Sequence, residues 1–264
     1  MSALAPLDAD LDADLERRFG GLRRLYGERG YARLRGARVA VVGVGGVGSW
    51  AAEALARSGV ASLTLIDADH VSESNVNRQV QALDSTLGQA KVQALRERIA
   101  LIHPGCAVHP VEAFVEADNW PGLLVQPVDA VIDACDQVRA KAVLAAWAIA
   151  SGVPLVAVGA AGGKRRAEAV ELADLADATH DPLLAALRQR LRQYHGAARQ
   201  GPIGVRCVFS REPVRGPEPG CQVDGSLNCH GYGSSVTVTA TFGMVAAGEA
   251  LRLCMLPARP VAAQ

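Results

Sequence analysis

Arg38-Val-Ala-Val-Val-Gly43 is a short apolar run without alternation, the pattern of a strand buried on both faces of a parallel sheet. Ser62–Ile66, Ala107–Val111, Asp129–Ala134 and Pro154–Val158 also read as strands. Helical segments are expected between them, from about Gly46 to Ser58, Ser85 to Ile102 and Val138 to Ser151. This alternation predicts βαβ units with right-handed crossovers in a doubly wound, mostly parallel α/β sheet. An arginine-rich helix over Leu11–Tyr31 precedes the first strand, and after Gly163 the rhythm breaks. Asp181 caps a helix that opens at Pro182, where the missing N–H costs nothing, and runs to about Tyr194. Gly196–Gly233 is rich in Gly and Pro around one strand-like run, Val205–Ser210. A long stretch of that kind in a compact domain is usually functional or disordered. The last segment opens Val236-Thr-Val-Thr-Ala-Thr241, where propensity predicts a strand, with an apolar helix only from Met244 to Leu256.

The join between the first strand and its helix is Gly43-Val-Gly45-Gly46-Val-Gly48-Ser49, a G-x-G-x-x-G run. Glycines permit the tight turn and let backbone N–H groups approach phosphate oxygens, and the helix N-terminus favours their charge. Asp67 ends the second strand, where a carboxylate can accept from ribose hydroxyls. Strand, glycines, helix, strand and acid in that order point to a nucleotide site in a Rossmann-like fold. A nicotinamide enzyme shares this fingerprint, but it needs one acid after the second strand. This chain has a polar loop, Asp67-Ala-Asp69 through Asn75-Val-Asn77-Arg78-Gln79, with Lys91 beyond it. Two cations there suit a triphosphate under attack, whose growing negative charge must be neutralised. Asp133-Ala-Cys-Asp136 follows at the carboxyl end of the fourth strand, where doubly wound folds bind ligands and a carboxylate can hold Mg²⁺.

Composition narrows the class. Half of the 264 residues are hydrophobic, too many for a disordered chain, and no apolar run reaches the roughly 18 residues of a spanning helix. Asp8, Asp10, Asp12 and Asp14 stand where a signal peptide needs positive charge, so a cytoplasmic protein without membrane contact is expected. The 27 basic and 27 acidic residues cancel, but not locally: seven arginines and one acid lie between Leu183 and Gly216, a local +6 that can attract phosphates. The six cysteines include no C-x-x-C pair, so no zinc site is expected. Cys135 and Cys254 read as core thiols; Cys207, Cys221 and Cys229 lie in the Gly/Pro-rich region, where a reactive thiol is conceivable.

Taken together, Gly43-x-Gly45-Gly46-x-Gly48-Ser49, Asp67-x-Asp69, Asn75-x-x-Arg78-Gln79, Gly88-Gln-Ala-Lys91 and Asp133-x-x-Asp136 resemble the E1-like adenylating superfamily. Within it the chain is most similar to the tRNA threonylcarbamoyladenosine dehydratases, through Arg18-Phe-Gly-Gly-Leu-Arg-Arg24-Leu-Tyr-Gly27, Gly48–Arg57, Asp181-Pro182-Leu and Cys207-Val-Phe-Ser210. The resemblance implies one adenylation domain over 1–264, with a nucleotide core at about 36–163 and a basic helix, loop and C-terminal helix at about 164–257. It implies a helical last segment, against propensity. It implies ATP and Mg²⁺ as cofactors and a cyclising dehydration of a modified adenosine in tRNA through an adenylated carboxylate. The alternative is activation of the C-terminus of a sulfur-carrier or ubiquitin-like protein.

By resemblance, Gly43, Gly45, Gly46, Gly48 and Ser49 hold the phosphates and Asp67 the ribose, with Asp69, Asn77 and Gln79 beside them. Asn75, Arg78 and Lys91 neutralise the triphosphate. Asp136 binds Mg²⁺ with Asp133 in support. An arginine of the N-terminal helix, Arg24 or second Arg18, reaches the ATP of the partner subunit, which implies a homodimer. Cys229 is a candidate reactive thiol, although ring closure needs none. The resemblance leaves open a monovalent cation and a cysteine desulfurase partner.

Overall fold

The computed structural model describes residues 6–214 and 232–256. Cys221, Cys229 and Arg215 therefore lie outside the described residues. Seven strands form one sheet in the order β3-β2-β1-β4-β5-β7-β6: β1 (Arg38–Val42), β2 (Ser62–Ile66), β3 (Ala107–Val111), β4 (Ala130–Asp133), β5 (Leu155–Val158), β6 (Val170–Asp174) and β7 (Arg206–Ser210). All neighbours are parallel except β6, which pairs antiparallel with β7 at the edge. The central strands are almost wholly buried, as expected of parallel strands with helices on both faces.

One face carries α1 (Pro6–Gly36), α2 (Gly48–Arg57), α3 (Lys91–Ile102) and α6 (Val236–Met255); their core includes Leu34, Leu55, Leu95 and Phe242. The other carries α4 (Val138–Ser151) and α5 (Pro182–Tyr194), packed through Leu144, Leu184, Leu187 and Leu191. Asp181 caps α5, accepting from Leu184 N–H at 3.0 Å, with Pro182 in the first turn.

Four features depart from propensity and pattern. The third helix does not start at Ser85: a 3₁₀ turn occupies Asp84–Thr86 and α3 begins at Lys91. β6, a half-buried edge strand, had no apolar run to announce it. α1 extends to Gly36 and is broken at Gly27, whose φ of 70° lies in the left-handed region. Val236–Thr241 is helical, as the resemblance implied. Packing overrides the β-branched residues there, because Gly243 lets α6 settle on α2. A Cβ on Gly243 would stand 2.5 Å from the Val47 carbonyl oxygen. By length and composition α6 could cross a membrane, but half of it is buried in the protein, and Val238, Phe242, Ala246 and Ala250 belong to the core.

α1 is docked at the end of α3. Arg18 pairs with Asp14 at 2.7 Å and donates to the Ile102 carbonyl at 3.2 Å, and Phe19 meets the His103 ring edge-on. His103 is fully buried, with Arg35 Nη1 3.1 Å from its Nε2. Burial, then the Arg35 charge, lowers its pKa from 6.5 to about 4. The folded chain thus binds fewer protons than the unfolded chain between those values. The His103 contribution to stability should be full above pH 6.5 and fall by about 2–3 kcal/mol as the pH drops to about 4. Urea unfolding of the wild type and a His103→Gln variant across that range checks this, because the difference between their slopes isolates the His103 part.

Candidate active site

The strand order runs from β1 to β2 and β3 on one side and resumes at β4 and β5 on the other, so a crevice opens at the carboxyl ends of β1 and β4. Residues 43–48 turn there from β1 into α2. Gly43 has φ of 80°, and a Cβ on it would stand 2.9 Å from Cys135 N, so this turn and the β4–α4 turn touch backbone to backbone. Gly48 is more restrictive: its Cβ would lie 1.8 Å from the Gly43 carbonyl oxygen. No side chain among the described residues caps α2, and the N–H groups of Gly45, Gly46, Val47 and Gly48 have no acceptor there. Four unpaired amides converging on a helix N-terminus form an anion cradle, and a phosphate chain fits it.

Asp67 braces this turn. Its Oδ2 accepts from Val44 N–H at 2.8 Å and its Oδ1 from Asp69 N–H at 2.9 Å. Burial pushes its pKa up, opposed by the Lys91 charge and by those two N–H groups. Lys91, the first residue of α3, is buried and bridges to half-exposed Asp69, Nζ to Oδ2, at 2.7 Å. Arg78 lies over Gly46, with its Cγ 3.3 Å from where a Cβ would be, and its Nη1 donates to the Ser74 carbonyl at 2.6 Å and Asn77 Oδ1 at 2.9 Å.

The polar loop is fastened from several sides. Buried Asn75 accepts from Ser72 N–H at 3.1 Å and closes a 3₁₀ turn. Trp50 Nε1 donates to the Arg78 carbonyl at 2.9 Å, Ser49 Oγ accepts from Val80 N–H, and Asn77 donates to the Ser234 carbonyl just before α6. Gln79 is buried with its amide nitrogen facing Gly45.

Across the crevice the two aspartates differ. Asp136 is exposed ahead of α4. Asp133 has no exposed surface and pairs with equally buried Lys141, Nζ to Oδ1, at 3.1 Å, while the Cys135 thiol donates to the same oxygen at 2.9 Å. The Asp133 carboxylate is thus turned into the fold, while Asp136 is exposed at the β4–α4 turn. An exposed carboxylate beside a phosphate cradle suits Mg²⁺, which takes one or two carboxylates plus phosphate oxygens.

Lys141 is the residue that sequence reasoning missed. Its signal is a second cation, after Arg139, set among the alanines of apolar α4 eight residues after Asp133. Burial alone would lower its pKa, but the Asp133 carboxylate outweighs that and holds it above the usual lysine value.

Sequence placed both N-terminal arginines as candidates to reach a partner. Arg18 is committed to α3, whereas Arg24 is exposed. The basic stretch after Pro182 is partly spent internally. Arg206 pairs with Glu249 at 2.8 Å, Arg211 with Glu171 at 3.0 Å, Arg188 binds the Leu175 and Ala178 carbonyls, and Arg192 binds the Ala198 carbonyl. Arg190 stacks over exposed Tyr194, and Arg199 is exposed. Along α5 from Pro182, Arg190 stands about 12 Å and Tyr194 about 18 Å away, and Arg199 lies beyond the helix end.

A doubly wound sheet with an open glycine turn, a buried lysine and arginine at that turn, and a carboxylate opposite defines an E1-like α/β protein. The chain belongs to the ThiF family, whose pattern matches residues 19–263. It is 43% identical over 253 residues to the tRNA threonylcarbamoyladenosine dehydratase of Escherichia coli, covering 91% of this chain and 94% of that protein. It is 40% identical over 242 residues to the enzyme of that name from Haemophilus influenzae, covering 89% and 92%. The crystal structure of the E. coli tRNA N6-threonylcarbamoyladenosine dehydratase in complex with ATP superposes with a TM-score of 0.82 at 44% identity, over 91% of this chain and 94% of that one.

Proposed function

We propose that this protein is an ATP-dependent tRNA threonylcarbamoyladenosine dehydratase. The observation that carries the reading is the open cradle of Gly45–Gly48, flanked by Lys91 and Arg78 and with exposed Asp136 at the adjoining β4–α4 turn, in a chain 44% identical to a dehydratase solved with ATP. A free carboxylate is a poor electrophile because oxide is a poor leaving group. Its oxygen attacks the α-phosphorus, the α–β bridge breaks, and pyrophosphate leaves. The ureido group then attacks the activated carbonyl and gives up its proton. AMP departs carrying the carboxylate oxygen, so the nucleoside loses one water. Ring closure is intramolecular, and the substrate itself supplies the proximity.

In this reading the cradle amides bind phosphate oxygens, while Lys91 and Arg78 offset the charge that builds at the α-phosphorus. Asp67 braces the turn and offers its remaining lone pairs to the ribose. Asp136 would hold Mg²⁺, which supplies further charge neutralisation on the phosphates. Arg190, Tyr194 and Arg199, remote from the cradle, suit the body of a tRNA rather than the reacting nucleoside.

The active form we propose is a homodimer, with exposed Arg24 of one copy completing the site of the other. Mixing inactive Arg24→Ala and inactive Asp136→Ala proteins in equal amounts should then restore about a quarter of the activity, because half of the dimers are mixed and each carries one intact site; no recovery would count against a shared site. The reaction itself is tested by incubating the protein with ATP, Mg²⁺ and modified tRNA. Mass spectrometry of the nucleoside should show loss of one water, dependent on ATP. Pyrophosphate exchange only with a carrier protein ending in Gly-Gly would favour the alternative adenylation reading.

A further inference from the structure

We propose that Gln81 is a positioning residue for the nucleotide. It fixes the peptide plane that aims the Gly45 amide into the cradle. The inference rests on the adenylation reading above. Gln81 is 1% exposed and lies two residues beyond Gln79. Its amide nitrogen donates to the Val44 carbonyl at 2.8 Å and reaches Gln79 Oε1 at 3.4 Å.

A trans peptide is planar, with its C=O and N–H pointing in opposite directions. The Val44 carbonyl and the Gly45 N–H belong to one such plane. Holding the carbonyl toward Gln81 therefore directs the Gly45 N–H away from it, to the side where no protein acceptor is found among the described residues. Val44 N–H is held from the other side by Asp67. That plane lies between Val44 and Gly45, and Gly45, with no side chain, gives it little resistance to rotation once Gln81 is removed. It could then flip and present a carbonyl oxygen to the phosphates.

The contact with Gln79 works in the same sense. By taking up the Gln79 carbonyl oxygen, Gln81 leaves the Gln79 amide nitrogen facing Gly45. Gln81 Oε1 has no partner among the described residues. A buried unpaired acceptor is unfavourable, and an apolar side chain would fill the space without that penalty. What the glutamine adds is its donor.

The test uses the full-length protein, an α,β-methylene ATP analogue with Mg²⁺ in calorimetry, and steady-state kinetics with modified tRNA. Gln81→Met keeps length and removes the donor; Gln81→Glu sets an acceptor against two acceptors. For Gln81→Met the analogue Kd and the KM for ATP should both rise about tenfold, with kcat within about threefold of wild type. Gln81→Glu should be weaker still. If Gln81→Glu does not fold, Gln81→Met carries the test, with thermal unfolding as its control. An unchanged Kd for Gln81→Met, or a fall in kcat at unchanged KM, overturns the positioning role. A merely structural role would lower the unfolding temperature and the active fraction without moving Kd. Failure of the wild type to bind the analogue would instead overturn the adenylation reading, and this inference with it.

Discussion

Replacing Lys141 with methionine is expected to destabilise the fold by about 3–5 kcal/mol, the largest stability effect of any single substitution considered for this protein. Lys141 and Asp133 make, at 3.1 Å, the only ion pair among the described residues in which both side chains are fully buried. The Lys141 ammonium also donates to the Asp133 backbone carbonyl at 3.2 Å, tying α4 to the last residue of β4. Removing one charge leaves the other in a low-dielectric setting without compensation, a larger penalty than losing the pair as a whole. The double variant Asp133→Asn/Lys141→Met should therefore recover at least half of the loss. Urea unfolding of the three proteins measures both quantities. A cost below about 1 kcal/mol for Lys141→Met would mean that water reaches the pair.

The largest effect on turnover is expected at Lys91. Lys91→Ala should lower kcat by about 10²–10³-fold in pyrophosphate release, the range for removing one preorganised charge from a developing anion. Its stability cost should be small, because the partner Asp69 is 56% exposed and a half-solvated pair contributes little. This separation of activity from stability is the mirror image of Lys141. Retention of turnover within threefold of wild type would remove Lys91 from the triphosphate.

These two lysines show how far the sequence could be read. β1 and the Gly43–Gly48 turn announce themselves, because a doubly buried strand must be continuously apolar and a backbone cradle must lack side chains. Asp181-Pro182 marks the start of α5 for equally local reasons. Lys91 follows from its place after the polar loop. Lys141 does not, because its role depends on β4 and α4 folding together, and the eight residues between Asp133 and Lys141 pass from strand through a turn into helix, so no single period relates them. β6 was lost because an edge strand whose residues are all only partly buried needs no marked apolar pattern. The start of α6 was misread by propensity because its stability comes from a neighbouring helix, through Gly243 against Val47. In the Asp67–Lys91 segment the residue types were visible but not their fastening by Trp50, Ser49 and Gln81.

The seating of α6 on α2 also sets an order of events during synthesis. The glycine turn and α2 leave the ribosome long before α6, which is the last helix described. Until α6 arrives, the apolar side of α2 that it will cover stays open to water, and Asn77 has no Ser234 carbonyl to bind. The unfinished chain is thus sticky and without a finished site, a state in which chaperones act. The fastening of the polar loop is completed only when α6 has been made and has settled on α2.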